Sequence, residues 1–203
     1  MKKILFFTIA GLIALTGCKQ AKPVKTIENL KAGIKGETTA SAKYAAFAQK
    51  ATEEGFLNVA KLFEAASSAE AIHAANHTKA LEALGEKMDE FKPEFEVKAT
   101  AENLQAAIDG ETYEVTTMYP QFLADAKAEK VEKAEKSFTW ARDTEMKHQQ
   151  FYQEALEALN AGSEATLPGE FLVCPTCGNT YTKESASENC EFCQTPKGKF
   201  ISI

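Results

Sequence analysis

Cysteine is absent from a long central stretch of this 203-residue sequence. Cys18 stands near the N-terminus, and the other four cysteines fall within the last thirty residues. A disulfide-stapled fold would distribute its cysteines through the core. The gap therefore argues against that class of protein and indicates a modification site at Cys18 plus a metal site near the C-terminus.

The sequence also lacks an excess of positive charge and has few strand-forming runs. The chain has 23 Lys and Arg against 29 Asp and Glu, a formal net charge of -6. Because a nucleic-acid-binding domain usually has a basic face, we expect no nucleic-acid partner. The scarcity of strand-forming runs, together with many Ala, Glu, Lys and Leu residues, predicts a mostly helical protein.

Residues 1–18 have the features of an export signal. Lys2 and Lys3 precede an apolar run from Ile4 to Leu15, which is shorter than the roughly 20 residues of a membrane span. The run ends in Leu-Thr-Gly-Cys18, which resembles a bacterial lipobox. That resemblance implies a lipidated Cys18 at the mature N-terminus of an exported protein, anchored to the cell envelope. An ordinary signal peptide with a chance cysteine, or an uncleaved anchor, is the alternative.

Four helices are predicted after a polar tether at residues 19–26. The predicted helices span about 26–54 with Thr26 as N-cap, 56–84, 100–128 and 131–159, and glycines end the first two at Gly55 and Gly85. The fold class is an all-α four-helix bundle of two repeated helical hairpins over residues 27–160. A linker at 161–170 joins it to a small metal-binding domain at 171–203.

Two Glu-x-x-His motifs, Glu70 to His73 and Glu145 to His148, are the central feature of the bundle. Residues three apart share a helix face, so both members of each motif can reach one site. Each motif follows a lone glutamate on a Gly-Glu step, Glu37 or Glu111. This is the ligand inventory of a carboxylate-bridged di-iron or di-manganese site. Burying so many carboxylates without cations would be prohibitively costly.

The two hairpins form an internal repeat that is imperfect in two ways. The repeat offset is 74 residues up to Glu111 and 75 from Phe122 onward, so one residue is inserted between them. Such insertions are absorbed as π-bulges, and we predict one between Glu111 and Tyr119. A kink at Pro120 is the alternative. The repeat also gains a carboxylate, Glu114, one turn beyond Glu111.

The last four cysteines form two Cys-x-x-Cys pairs, at Cys174 and Cys177 and at Cys190 and Cys193. Two such pairs can hold one tetrahedral metal with four thiolates. Because the segment is too small to fold on a hydrophobic core alone, the metal should also be structural. Iron and zinc both suit four thiolates, and the residues do not separate them.

These motifs, their order and the C-terminal cysteine domain resemble the rubrerythrin family over nearly everything after the tether. The resemblance implies a ferritin-like bundle with two irons bridged by Glu70 and Glu145. It implies that Glu37 and Glu111 are terminal ligands and that His148 binds the second iron.

The same resemblance implies that the first iron exchanges Glu114 for His73 when its redox state changes. Two tyrosines near the irons in the family match Tyr44 and Tyr119. His77, by contrast, is expected to pack beside the site. The four cysteines correspond to a rubredoxin-like domain, which favours iron over zinc there.

The activity implied is peroxidase, the reduction of hydrogen peroxide to water, with the rubredoxin-like iron delivering electrons. The resemblance further implies a head-to-tail homodimer that brings the rubredoxin-like iron of one subunit close to the di-iron pair of the other. The linker is expected to be long enough to swing the small domain away from its own bundle. Because an exported lipoprotein cannot reach cytoplasmic NAD(P)H directly, we hypothesise an envelope or membrane electron donor. The alternatives are a ferritin-like ferroxidase that handles iron and a zinc-loaded structural protein.

Overall fold

The computed structural model describes residues 21–203. The export signal, the lipobox and Cys18 lie outside the described residues, so their interpretation stays a prediction. No helix within residues 21–203 is long and apolar enough to cross a bilayer.

A four-helix bundle built from two hairpins forms the main body, as predicted. The first hairpin consists of α1 (Val24–Glu53) and α2 (Leu57–Glu82), which pack on each other. After a crossover, the third helix of the bundle comprises α3 (Thr100–Tyr113), a π-helical segment (Glu114–Met118) and α4 (Tyr119–Ala128). It packs on α5 (Glu132–Asn160), the last helix of the bundle.

The predicted glycine stops are confirmed, but the predicted start of the first helix is wrong. Gly55 and Gly85 have positive φ values of +86° and +78°, the left-handed conformation that ends helices. Helix α1 begins at Val24, two residues before the expected cap Thr26. The Glu129 carboxylate accepts hydrogen bonds from the backbone N–H groups of Lys25 (3.2 Å) and Thr26 (2.8 Å). A distant acidic residue therefore satisfies the free donors of the first turn, and no local cap is needed.

The inserted residue of the repeat is absorbed in the π-helical segment, which confirms the predicted bulge. The N–H of Tyr119 donates to the carbonyl of Glu114, five residues earlier. Pro120 falls in the first turn of α4, where a missing N–H costs little. The bulge lies one turn from Glu111, so the irregular backbone adjoins the predicted metal ligands.

Two apolar clusters divide the bundle core, with the predicted ligands between them. On α5, Phe138 belongs to one cluster and Tyr152 to the other, while Glu145 and His148 lie in between. On the other three helices the predicted ligands likewise lie between residues of the two clusters. The charged layer is therefore closed at both ends by hydrophobic side chains, which exclude water from it.

The small C-terminal domain is a three-stranded antiparallel sheet of order β2-β1-β3, with two flanking 3₁₀ turns. Its strands are β1 (Phe171–Val173), β2 (Thr180–Thr182) and β3 (Ile201–Ser202). One turn, Glu164–Thr166, lies in the linker before the domain, and the other, Lys197–Lys199, precedes β3.

This domain docks on its own bundle, which differs from the expected swing away. Phe171 and Val173 join the apolar cluster that contains Tyr152. In the linker, the Glu164 carboxylate accepts a 2.6 Å hydrogen bond from the N–H of Asn58 on α2. Buried strand residues and a tethered linker together hold the domain in place.

Two glycines of α1 provide a matched test of packing around His77. We expect Gly33→Ala to lower the free energy of unfolding, because the new Cβ would lie 2.9 Å from His77 Cδ2. Such overpacking typically costs about 1–3 kcal/mol. Gly36→Ala, with nothing within 4 Å, should instead stabilise the helix by about 0.5–1 kcal/mol. Denaturant unfolding of the metal-loaded proteins checks this. A Gly33→Ala protein as stable as Gly36→Ala would contradict it.

Candidate metal centre

Six buried side chains from the four helices of the bundle converge on one site. Their ligand atoms form two overlapping groups, each with all atoms within 4.8 Å of one another. The first group is Glu37, Glu70, His73 and Glu145, and the second is Glu70, Glu111, Glu145 and His148. Glu70 and Glu145 belong to both groups, as carboxylates that bridge two metals must. Every member is at most 2% exposed.

Both histidines direct Nδ1 between the two shared carboxylates. His73 Nδ1 lies 2.8 Å from Glu70 Oε2 and 2.9 Å from Glu145 Oε1. His148 Nδ1 lies 3.1 Å from Glu70 Oε1 and 2.9 Å from Glu145 Oε2. One ring nitrogen carries at most one proton, yet each faces two carboxylates. A metal ion in place of that proton satisfies both carboxylates at once.

The donor atoms fit a pair of iron ions. Glu37 Oε2 is buried and makes no hydrogen bond within the described part of the chain. Burial, followed by the charges of Glu70 and Glu145, raises the pKa of Glu37 well above its usual range. The pKa of Glu111 is raised by burial and by the same two carboxylates. Such carboxylates need cations to stay ionised, and oxygen plus imidazole donors are those of di-iron bundles.

Each of the two tyrosines predicted near the site donates a hydrogen bond to a glutamate of the other hairpin. The Tyr44 hydroxyl donates a 2.6 Å hydrogen bond to Glu111 Oε1, and the Tyr119 hydroxyl donates to Glu37 Oε1. Both rings are buried. The structure therefore places Tyr44 and Tyr119 against the site, related by the same pseudo-twofold repeat as the glutamates.

His77 packs beside the site, as expected. Its Nε2 lies 3.0 Å from the Tyr119 hydroxyl, and its Nδ1 lies 2.7 Å from Ser137 Oγ. Burial, followed by the charge of His73, lowers the pKa of His77 to about 3. A neutral His77 therefore links Ser137 to the tyrosine that holds Glu37.

Glu114 lies at the edge of the site, outside both ligand groups. It is half-buried in the π-helical segment. Burial, followed by the charges of Glu37 and Glu145, raises its pKa well above the usual range, so its carboxyl lies in the field of the centre. The first ligand group contains His73. Glu114 was predicted to exchange with His73 at this subsite. The role of Glu114 as a ligand stays a prediction.

The four C-terminal cysteines form a second candidate site. Their sulfur atoms all lie within 4.8 Å of one another, with 3.4 Å between Cys174 and Cys193 and between Cys177 and Cys190. A tetrahedron with metal–sulfur bonds of about 2.3 Å has edges of about 3.8 Å. All four are free thiols, so the set fits one iron or zinc ion.

The cysteine domain covers both ligand histidines of the bundle. Gly178, directly after Cys177, lies so close that a Cβ on it would be 2.3 Å from His73 Nε2. Thr180 Oγ1 lies 2.9 Å from His148 Nε2. Neither Gly178 nor Thr180 was predicted from the sequence to lie at the site. A glycine after Cys-x-x-Cys reads as part of the metal knuckle, and nothing in the sequence indicates the approach to His73.

Comparisons with known proteins agree with this geometry. The sequence profile of the rubrerythrin family matches residues 28–156. Nigerythrin from Nitratidesulfovibrio vulgaris is 38% identical over 185 residues, covering 87% of this chain and 86% of the relative. Rubrerythrin-2 from Clostridium acetobutylicum is 31% identical over 180 residues, covering 88% and 97%. The solved structure of fully reduced, all-ferrous nigerythrin superposes with a TM-score of 0.77 at 35% identity, covering 88% and 86%.

Proposed function

This chain belongs to the rubrerythrin family of di-iron oxidoreductases, and from that premise we propose that it is a peroxidase that reduces hydrogen peroxide to water. The reaction takes two electrons and two protons for each peroxide and yields two water molecules. The proposed role is protection against oxidative stress.

The observation that carries the proposal is the contact between the two candidate metal sites. Gly178 follows Cys177 directly and abuts His73, so a few covalent bonds and one non-bonded contact separate a cysteine ligand from a di-iron ligand. An electron carrier in this position suits an enzyme that must be re-reduced after each turnover. A ferritin-like store, the alternative function, needs no dedicated electron carrier.

The residues of this chain would bind, orient and shield the iron pair. When bound, the two irons supply two electrons and a binding place for peroxide. Glu70 and Glu145 would hold both ions, and the hydroxyls of Tyr44 and Tyr119 fix the terminal glutamates. The apolar clusters on either side of the ligand layer keep water out. Thr180 fixes His148 through the nitrogen that faces away from the site.

An iron-loading assay separates peroxidase from ferroxidase. We expect ferrous iron added aerobically to fill two sites in the bundle and to leave no retained mineral, while added peroxide is consumed with a supplied reductant. Rapid ferrous oxidation with a retained ferric mineral would support iron storage. Two zinc ions in the bundle of the natively purified protein would contradict both functions.

Replacing Glu114 tests the proposed exchange of ligands at the first iron. We expect Glu114→Ala to keep two irons, because six other ligands remain, and to slow reoxidation by peroxide about ten- to a hundredfold. Stopped-flow absorbance of the pre-reduced protein measures this. Glu102→Ala, an exposed glutamate of α3, is the matched control. Unchanged kinetics in Glu114→Ala would refute the exchange.

We also propose that the protein is exported, lipid-anchored at Cys18 to the cell envelope, and reduced there by a membrane or envelope donor. The lipobox-like sequence supports this. Cell fractionation and reduction by isolated membranes test it. Rapid reduction by a soluble NADH-linked reductase, with none by membranes, would count against the envelope donor.

The head-to-tail homodimer also stays a proposal, and light scattering with chemical cross-linking tests it.

A further inference from the structure

Lys147 of α5 reaches from the bundle into the cysteine domain. Its Nζ donates a 2.9 Å hydrogen bond to Asn179 Oδ1 and pairs with the Glu191 carboxylate. It also lies 4.4 Å from the centre of the Tyr181 ring and 5.1 Å from that of Phe192. One cation of the bundle thus contacts four side chains around the four-cysteine site.

The contact with Lys147 helps to fix the orientation of the Asn179 amide. Because Oδ1 accepts from the lysine, Nδ2 faces the other way, 2.8 Å from the Tyr181 hydroxyl and 3.9 Å from Cys190 Sγ. Nδ2 also lies 3.1 Å from Glu191 Oε1. The Tyr181 hydroxyl in turn donates to Cys190 Sγ at 3.4 Å. A reversed amide would point its carbonyl oxygen at the sulfur instead.

We propose that Lys147 is a positioning residue that raises the reduction potential of the four-cysteine iron while the domain is docked. This rests on the proposed function, which places iron at that site. Reduction adds one negative charge to an iron held by four thiolates. A nearby cation and donors aimed at a thiolate stabilise that extra charge, and such outer contacts tune these potentials. Docking therefore sets the potential of the electron carrier as well as its distance from the di-iron ligands.

Loss of Lys147 should lower the reduction potential of the four-cysteine iron through three changes. The positive charge disappears, the Asn179 amide loses the donor at its Oδ1, and the Glu191 carboxylate is left without its cation. Each change disfavours the reduced site. Removing the carboxylate instead, in Glu191→Gln, should favour it. Opposite signs for the two variants are not expected of a lysine that only holds the domain in place.

The test is an anaerobic potentiometric titration of the iron-loaded full-length protein, followed by the visible absorption of the four-cysteine iron. We expect Lys147→Gln to lower the equilibrium constant for reduction about tenfold, which is about 59 mV for one electron. Glu191→Gln should raise the potential. Lys147→Arg keeps the positive charge, so its potential should stay close to that of the wild type.

Lys136→Gln is the matched control. Lys136 also lies on α5, and its Nζ is 4.6 Å from the centre of the Trp140 ring, which packs against the cysteine cluster. Lys136→Gln removes the same charge, but Lys136 does not contact Asn179. The expected shift in potential is therefore smaller than in Lys147→Gln. An unchanged or raised potential in Lys147→Gln, or a shift no larger than in Lys136→Gln, overturns the proposal.

Failure of this inference is distinguishable from failure of the proposed function. Equal potentials together with normal reoxidation by peroxide would overturn only the role of Lys147. Shifted potentials in a protein that peroxide does not reoxidise would overturn only the peroxidase. A four-cysteine site that takes up no iron would overturn the inference directly.

Discussion

Replacing Glu145 by alanine is expected to remove both irons from the bundle and to leave the four-cysteine iron in place. Glu145 belongs to both ligand groups, and its two oxygens lie 2.9 Å from His73 Nδ1 and His148 Nδ1. Loss of one bridging carboxylate therefore removes a donor from each subsite. Peroxide reduction should fall by at least about a hundredfold, beyond the usual cost of losing an outer contact.

Metal analysis and peroxide consumption together measure this effect. Glu154→Ala is the control, because Glu154 is an exposed glutamate of the same helix and should keep metal content and activity. Glu111→Ala, a member of one group only, should lose iron chiefly from the second subsite. Glu145→Ala protein that still holds two irons in the bundle would contradict the shared-ligand geometry.

Replacing Gly178 by alanine is the second large effect expected, and it acts on docking. Gly178 has a φ of +85°, and a Cβ there would lie 2.3 Å from His73 Nε2 and 3.2 Å from the carbonyl oxygen of Ala69. The left-handed conformation costs about 1–2 kcal/mol for a non-glycine residue whether the domain is docked or not, so the effect on docking comes from the contact with His73. Since His73 cannot move away while it binds metal, the cysteine domain must shift. Overpacking of this kind costs about 1–3 kcal/mol, so the docking equilibrium should fall about five- to a hundredfold.

Two measurements detect the shift in docking. The linker at residues 161–170 should be cleaved faster by protease, and the four-cysteine iron should be reoxidised more slowly after peroxide is added to the reduced protein. Gly198→Ala in the same domain, with nothing within 4 Å of the new Cβ, should behave as wild type. Equal protease sensitivity and equal reoxidation rates in the two variants would show that the contact with His73 does not hold the domain.

The bundle and its ligands were predictable because their signals are local and repeated. Helical spacing placed Glu70 with His73 and Glu145 with His148 on common faces, and the structure brings all of them together. A count of the repeat offset located the inserted residue, which forms the π-helical segment at Glu114–Met118. The same count could not show that His73, and not Glu114, lies in the first subsite, since both are on suitable faces.

The contacts between the two domains could not be predicted, because they depend on where the small domain docks. A linker of about ten residues leaves that position open in the sequence. Burial of Phe171 in the bundle core fixes it, and the positions of Gly178, Thr180 and Lys147 then follow. The cap of α1 is similar: Glu129 is 103 residues from Thr26, and no local pattern connects them.

Reoxidation of the fully reduced protein tests the central claim most directly. Anaerobically reduced, iron-loaded protein is mixed with hydrogen peroxide or with oxygen in a stopped-flow instrument, and the absorbance of both iron sites is followed. The proposed function predicts fast reoxidation by peroxide, one peroxide consumed for every two electrons, oxidation of the four-cysteine iron after the pair, and slow reoxidation by oxygen. Faster reoxidation by oxygen than by peroxide, with ferric mineral retained in the bundle, would contradict it.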